Sequence, residues 1–152
     1  MRLPKLTIAA AIISLVFASC KQDVDVTILS KKGVVLDGSQ EVPARSTAGN
    51  GTLDYAYNKT TKQLSYTVRW NSLTGAPVGM HIHGTALRGF NAGVVQNFSG
   101  YPAAVAGSFT GSFFVDGVAV KEEDLLRGAY YLNIHTQQFP GGEIRGQIEF
   151  GN

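Results

Sequence analysis

Cysteine is almost missing from this chain. Cys20 is the only one among 152 residues, so no disulfide can close within the chain. A strong charge of either sign is missing too. Thirteen lysines and arginines face eleven aspartates and glutamates, and two of the basic residues, Arg2 and Lys5, stand near the N-terminus. The rest is close to neutral, with no basic stripe and without the three adjacent aromatics typical of single-strand binding platforms. That balance argues against a nucleic-acid partner. Helical periodicity is scarce after the first twenty residues, and no internal repeat or low-complexity run stands out. No nucleophile elbow or comparable Ser or Cys motif is present, which weakens any hydrolase reading. What is left fits one domain.

The first stretch reads "MRLPKLTIAAAIISLVFASC". Two basic residues precede an apolar run from Leu6 to Phe17, and small residues follow. This is the build of a secretory signal over residues 1–19. The run is too short for a comfortable spanning helix. Phe17-Ala18-Ser19-Cys20 resembles a bacterial lipobox, with Phe where Leu is more usual. The resemblance implies that Cys20 carries lipid and begins the mature chain. Residues 20–32 then form a lipidated tether, and residues 33–152 form the folded domain. The expected location is the cell envelope, on the periplasmic or surface face of the outer membrane. The expected partners are that membrane, through the anchor, and an unknown protein or small ligand.

The domain reads as strands. "GTLDYAYN" sets Leu53, Tyr55 and Tyr57 on one face, and "QLSYTVRW" does the same for Leu64, Tyr66, Val68 and Trp70. A polar "NKTTK" joins them as a hairpin. The four aromatics Tyr55, Tyr57, Tyr66 and Trp70 read as core rather than as a sugar-stacking surface. Further strands are expected at "GVVLDG" (33–38), "GMHIHG", "AGVVQNF", "SFTGSFFVD", "YYLNIHT" and "EIRGQIEF". One short helical turn is expected near 121–127, where acids come first, Leu125 and Leu126 next, and Gly128 stops the turn. Seven or eight short strands imply an antiparallel, immunoglobulin-like or Greek-key β-sandwich.

Period two also sorts the polar residues. His81 and His83 share one side of their strand while Met80 and Ile82 take the other. Asn133 and His135 share the side opposite Leu132 and Ile134, and Glu143, Arg145, Gln147 and Glu149 do likewise on the last strand. If these strands are neighbours, three histidines, a carboxylate and a guanidinium meet on one non-core face. Three readings compete. His81, His83 and His135 could ligate copper or zinc, with Glu41 or Glu143 as an oxygen ligand or an acceptor for an imidazole N–H. Histidine with Glu could also do general acid–base work. The third reading, preferred here, is structural: imidazoles tie loops to carbonyls, and Arg145 makes a bidentate pair with a Glu. It needs no cofactor. Gly84, Gly89, Gly93, Gly141 and Gly142 read mainly as turn residues.

Three separated segments carry a resemblance. "VLDGSQEVPARSTAGNGT", "HIHGTALRGFNAGVV" and "LLRGAYYLNIHTQQFPGGEIRGQI" together resemble the chordin-type (CHRD) domain. The resemblance covers about residues 33–150. It implies an immunoglobulin-like β-sandwich and an exported protein; the lipobox and the lack of a complete catalytic set are what favour a non-enzymatic binding or envelope module. The family's repeated positions fall on Glu41, Val42, Pro43, His81, His83, Gly84, Asn133, His135, Gly141, Gly142, Glu143 and Arg145. The His-x-His strand is also similar to the copper-binding strand of Cu,Zn superoxide dismutases. Three histidines are too few for paired copper and zinc sites, and the disulfide of that family is missing. That likeness implies at most a mononuclear site for copper or zinc.

Overall fold

The computed structural model describes residues 27–151. The signal segment, Cys20 and most of the tether lie outside the described residues. Eight strands build the described chain: β1 (Ile28–Asp37), β2 (Asn50–Asn58), β3 (Gln63–Asn71), β4 (Pro77–Gly84), β5 (Val94–Asn97), β6 (Gly107–Phe114), β7 (Tyr130–Thr136) and β8 (Ile144–Ile148). They form one antiparallel, curled sheet in the order β5-β4-β7-β8-β1-β2-β3-β6. The expected all-β, sandwich-like class is what the chain adopts. A 3-10 turn (Gly38–Gln40) follows β1, and helix α1 (Glu122–Leu126) occupies the stretch expected to be helical.

The sheet has a natural crease. β8 and β1 share a single register pair, Asp37 with Arg145, whereas β2 and β3 pair over their full lengths. The crease divides the sheet into two four-stranded layers. Their inner side chains meet as the core: Leu53, Tyr57, Leu64 and Val68 from one layer, Met80, Leu132, Ile134 and Ile144 from the other. The far edges approach through aromatics. Phe98, just past β5, stacks on Tyr66 of β3 with ring centroids 4.4 Å apart. Tyr55, Tyr57, Tyr66 and Trp70 are all buried in this core, as the alternation implies.

One boundary differs from expectation. β1 starts at Ile28, so residues 28–32, read as tether, are strand. The cause is a bulge. Register shifts between Lys31 and Val34, where Gly33 adopts φ +66° and donates to Asp54 Oδ1 at 2.8 Å. A residue inserted into the ladder resets the alternation that marks a strand. The N-terminal half of β1 is also largely exposed, so it shows no apolar periodicity.

Helix α1 stays short for local reasons. Glu122, Glu123 and Asp124 fill its first turn, where the helix dipole favours negative charge. Gly128, at φ +79°, ends it.

Candidate functional site

The non-core face of β4, β7 and β8 assembles in three rows. Gly79 faces His135; His81 faces Asn133, which faces Arg145; and His83 faces Tyr131, which faces Gln147. Pleating sends these side chains away from Met80, Ile82, Leu132 and Ile134. The face is nevertheless buried. His83, Asn133, Arg145 and Gln147 are all nearly inaccessible, because the chain after β1 and the chain between β4 and β5 lie over them.

The imidazoles meet. One ring nitrogen from each of His81, His83 and His135 lies within 4.8 Å of the others. His81 Nδ1 is 3.0 Å from His135 Nε2. Gly79 makes this approach feasible: a Cβ there would stand 2.9 Å from His81 Cε1. The protonation pattern follows from the neighbours, since a carbonyl only accepts. His83 Nδ1–H donates to Ala92 O at 3.0 Å, and His135 Nδ1–H donates to Pro140 O at 2.8 Å. Each Nε2 therefore carries a bare lone pair. His83 Nε2 is buried with no hydrogen-bond partner among the described residues. His135 Nε2 accepts from His81 Nδ1–H and also lies 2.9 Å from Asn133 Oδ1, another acceptor.

Burial keeps these rings neutral. His81 is pushed down from 6.5 to about 4, first by burial and then by the neighbouring His135 and His83. His83 and His135 are also lowered, chiefly by burial, against the pull of Ala92 O and Pro140 O. Glu41 shifts the other way. Burial raises it from 4.5 to about 7, while Arg145, Asn133 and Arg45 pull it back. Its Oε1 is buried without a donor among the described residues. Gly142, at φ +114°, lets Glu41 and Asn133 approach: a Cβ there would collide with Glu41 Oε1 and Asn133 Nδ2. Gly142 is thus both a turn residue and a spacer, which the turn reading only half captured.

Arg145 anchors the other end of the face. It is 1 % exposed, and its guanidinium carbon lies 3.3 Å from the centre of the Tyr131 ring. It donates to Phe90 O at 3.0 Å and to Gln147 Oε1 at 3.1 Å. Gln147 in turn donates to Ala86 O and Gly128 O. The expected bidentate pair of Arg145 with a Glu does not form. That pairing belongs to Arg88, which holds Glu149 through Nε and Nη2 at 2.9 and 2.8 Å. Beside Arg145 a cleft of about 240 Å³ opens between Ser39, Gln40, Glu41 and Arg88.

Glu143 is a second correction. Period two, extended across the "PGG" turn, places it beside Arg145 on the polar face. The structure places its carboxylate with Thr136, on the side of β7 that carries Ile134. Thr47, Thr74 and Thr136 hydroxyls donate to it at 2.6–2.7 Å, and Thr74 N–H donates at 3.0 Å. Burial alone would raise its pKa, but these hydrogen bonds outweigh it and hold the carboxyl low. β8 begins only at Ile144, so Glu143 belongs to the turn and pleating does not govern its direction.

Of the residues singled out in the sequence, Glu41, His81, His83, Asn133, His135 and Arg145 come together and Glu143 does not. The carbonyls of Ala92 and Pro140 were beyond reach of sequence reasoning, because every residue has one. Gly79 was within reach: it shares parity with both histidines of "GMHIHG".

No curated protein and no solved structure matches the chain. A family model does. It covers residues 33–148, which is nearly all of the described fold and every residue of the polar face. The chain therefore belongs to the CHRD domain family.

Proposed function

We propose that this protein is a non-enzymatic binding module of the cell envelope, exported and held to the membrane by lipid on Cys20. Family membership supports the binding-module reading. The observation that carries it is the unfinished state of the buried polar face. His83 Nε2 and Glu41 Oε1 are buried without partners among the described residues. Each such group costs about 1–3 kcal/mol relative to a satisfied one. An apolar face of similar shape would often be as stable or more so. A fold that tolerates this cost has the donors and acceptors of a binding site before its ligand arrives.

The face divides into two parts. The Arg145–Gln147 half is saturated, and its role is structural: it fixes the carbonyls of Phe90, Ala86 and Gly128. The imidazole half is unsaturated and is the part that binds. The membrane is one partner through the anchor, and the second is a small ligand or protein group that reaches the loop-covered face.

Two measurements test this. Intact-mass analysis of the membrane fraction is expected to show a diacyl- or triacylglyceryl group on Cys20; an unmodified chain in the soluble fraction would defeat the anchor. For the face, His83→Phe keeps the stack on Tyr131, whose ring lies parallel at 4.9 Å. The variant loses the donor to Ala92 O together with the unpartnered Nε2, so the melting temperature is expected to change little. A large drop would instead make the imidazoles structural.

A further inference from the structure

The acceptors of the imidazole half outnumber the donors that reach them among the described residues. His83 Nε2 is bare and buried, and His83 is 8 % exposed. His135 Nε2 carries a lone pair, because its other nitrogen donates to Pro140 O, and it accepts from His81 Nδ1–H. Asn133 turns Oδ1 toward that same nitrogen, at 2.9 Å. The amide is not free to turn over, since its Nδ2 borders the point at Gly142 where the Glu41 carboxylate also arrives. A lone pair facing a carbonyl oxygen is repulsive unless a cation lies between or beside them. Among the described residues, a single ring N–H, Nδ1–H of His81, enters this cluster, at 3.0 Å.

Resting on the binding reading above, we propose that His81, His83 and His135 form a mononuclear site for a divalent first-row transition ion, with Cu²⁺ held more tightly than Zn²⁺. Three imidazole nitrogens without sulfur suit these ions, and Cu²⁺ leads the affinity order for nitrogen donors. The carbonyls of Ala92 and Pro140 serve as the outer partners that fix each ring's tautomer and aim, the arrangement found behind ligating histidines. Metal–nitrogen bonds of about 2.0–2.1 Å need donor atoms roughly 3–4 Å apart. The present spread of up to 4.8 Å has to close by rotation of the rings on binding. His81 is the least buried of the three and marks the way in. On binding it moves its hydrogen from Nδ1 to Nε2 through water, so no net proton is lost. Arg145 is the nearest opposing charge. It stands one residue further along the row, with its guanidinium against Tyr131 and Glu41 as its nearest anion.

The test uses the full chain, purified in detergent and stripped of metal, titrated with Cu²⁺ or Zn²⁺ alone against a competing chelator. One ion per chain is expected. The Cu²⁺ resonance spectrum should carry coupling to three nitrogens, and saturating metal should raise the melting temperature. Removing even an outer partner of a ligand costs metal sites about 10–100-fold. His83→Ala and His135→Ala should therefore weaken binding by at least about 100-fold. Gly79→Ala, which crowds His81 and His135 without removing a ligand, should weaken it less. Circular dichroism of each variant separates lost binding from lost fold. Absence of stoichiometric uptake by the folded native chain would overturn the site, as would equal uptake by the folded histidine variants. The His83→Phe melting temperature distinguishes the two failures. No metal with a stable His83→Phe sinks only the metal, whereas no metal with a collapsed His83→Phe sinks the binding face as well.

Discussion

β3 and β7 are both central strands of the same sheet, yet they are buried in opposite manners. β3 alternates: Leu64, Tyr66, Val68 and Trp70 are buried, while Gln63, Ser65, Arg69 and Asn71 are exposed. β7 is buried at all seven positions. The difference lies outside the strands. Solvent covers the outer face of β3, and loops rich in backbone carbonyls cover the outer face of β7. Water satisfies any polar side chain, so the outer residues of β3 can be interchanged with little effect. A loop satisfies only the group that matches its own donors and acceptors. The outer residues of β7 and β8 are consequently specific: Asn133 and His135 on one, Arg145 and Gln147 on the other.

This contrast sets the size of mutational effects. The largest is expected at a position buried on the core side. Leu132→Ala on β7 should lose about 2–5 kcal/mol in urea unfolding. The outer positions sharpen the comparison, because each layer carries an outward arginine. Arg145→Met should cost about 1–3 kcal/mol, since Phe90 O and Gln147 Oε1 lose their donor. Arg69→Met breaks only the surface pair with Asp54 and should cost less than about 1 kcal/mol. Equal losses for the two arginines would break the comparison.

A pH titration probes the same covered face. The lowered histidines contribute stability that is fully present above their unfolded pKa, and it is lost as pH falls from about 6.5 toward about 4 for His81. Glu41 works in the opposite direction. Its raised pKa contributes stability that is present below 4.5 and is lost as pH rises toward about 7. The two partly cancel between pH 4.5 and 6.5. Glu41→Gln removes the compensation, so its melting temperature should fall more steeply with acid than that of the native chain. A parallel profile would show that Glu41 is not the buried acid described here. The smallest effect belongs to the outer face of β3. Thr67→Ala gives up one hydroxyl contact to Thr110 and should stay within about 0.5 kcal/mol by thermal melting.

How far the sequence could be read follows from the same contrast. Leu53, Tyr55 and Tyr57 against Leu64, Tyr66, Val68 and Trp70 gave the β2–β3 hairpin directly, because a solvent-facing sheet writes its alternation in hydrophobicity. Alternation also sorted His81, His83, Asn133, His135 and Arg145 onto one side. It could not tell that this side is covered, since a buried polar face and an exposed one have the same letters. It failed at Gly33, where a bulge resets the parity of β1. It failed again at Glu143, where a turn residue points by its local dihedrals and by the hydroxyls of Thr47, Thr74 and Thr136. The partner expected for Arg145 was wrong for a similar reason: charge suggests carboxylates, but the loop above it offers carbonyls.

By itself, then, the amino-acid order determined the strand count, the antiparallel class, the core and the side of the sheet each histidine takes. These are local properties of apolar spacing and pleat. Only the tertiary structure decided that the three rings meet, which nitrogen of His83 and His135 keeps its lone pair, and which carboxylate is left among them. Those outcomes depend on the register of β4 against β7 and on carbonyls delivered by the loops that follow these two strands. Backbone groups carry no residue-specific signal, so no reading of side chains along the chain could have fixed them.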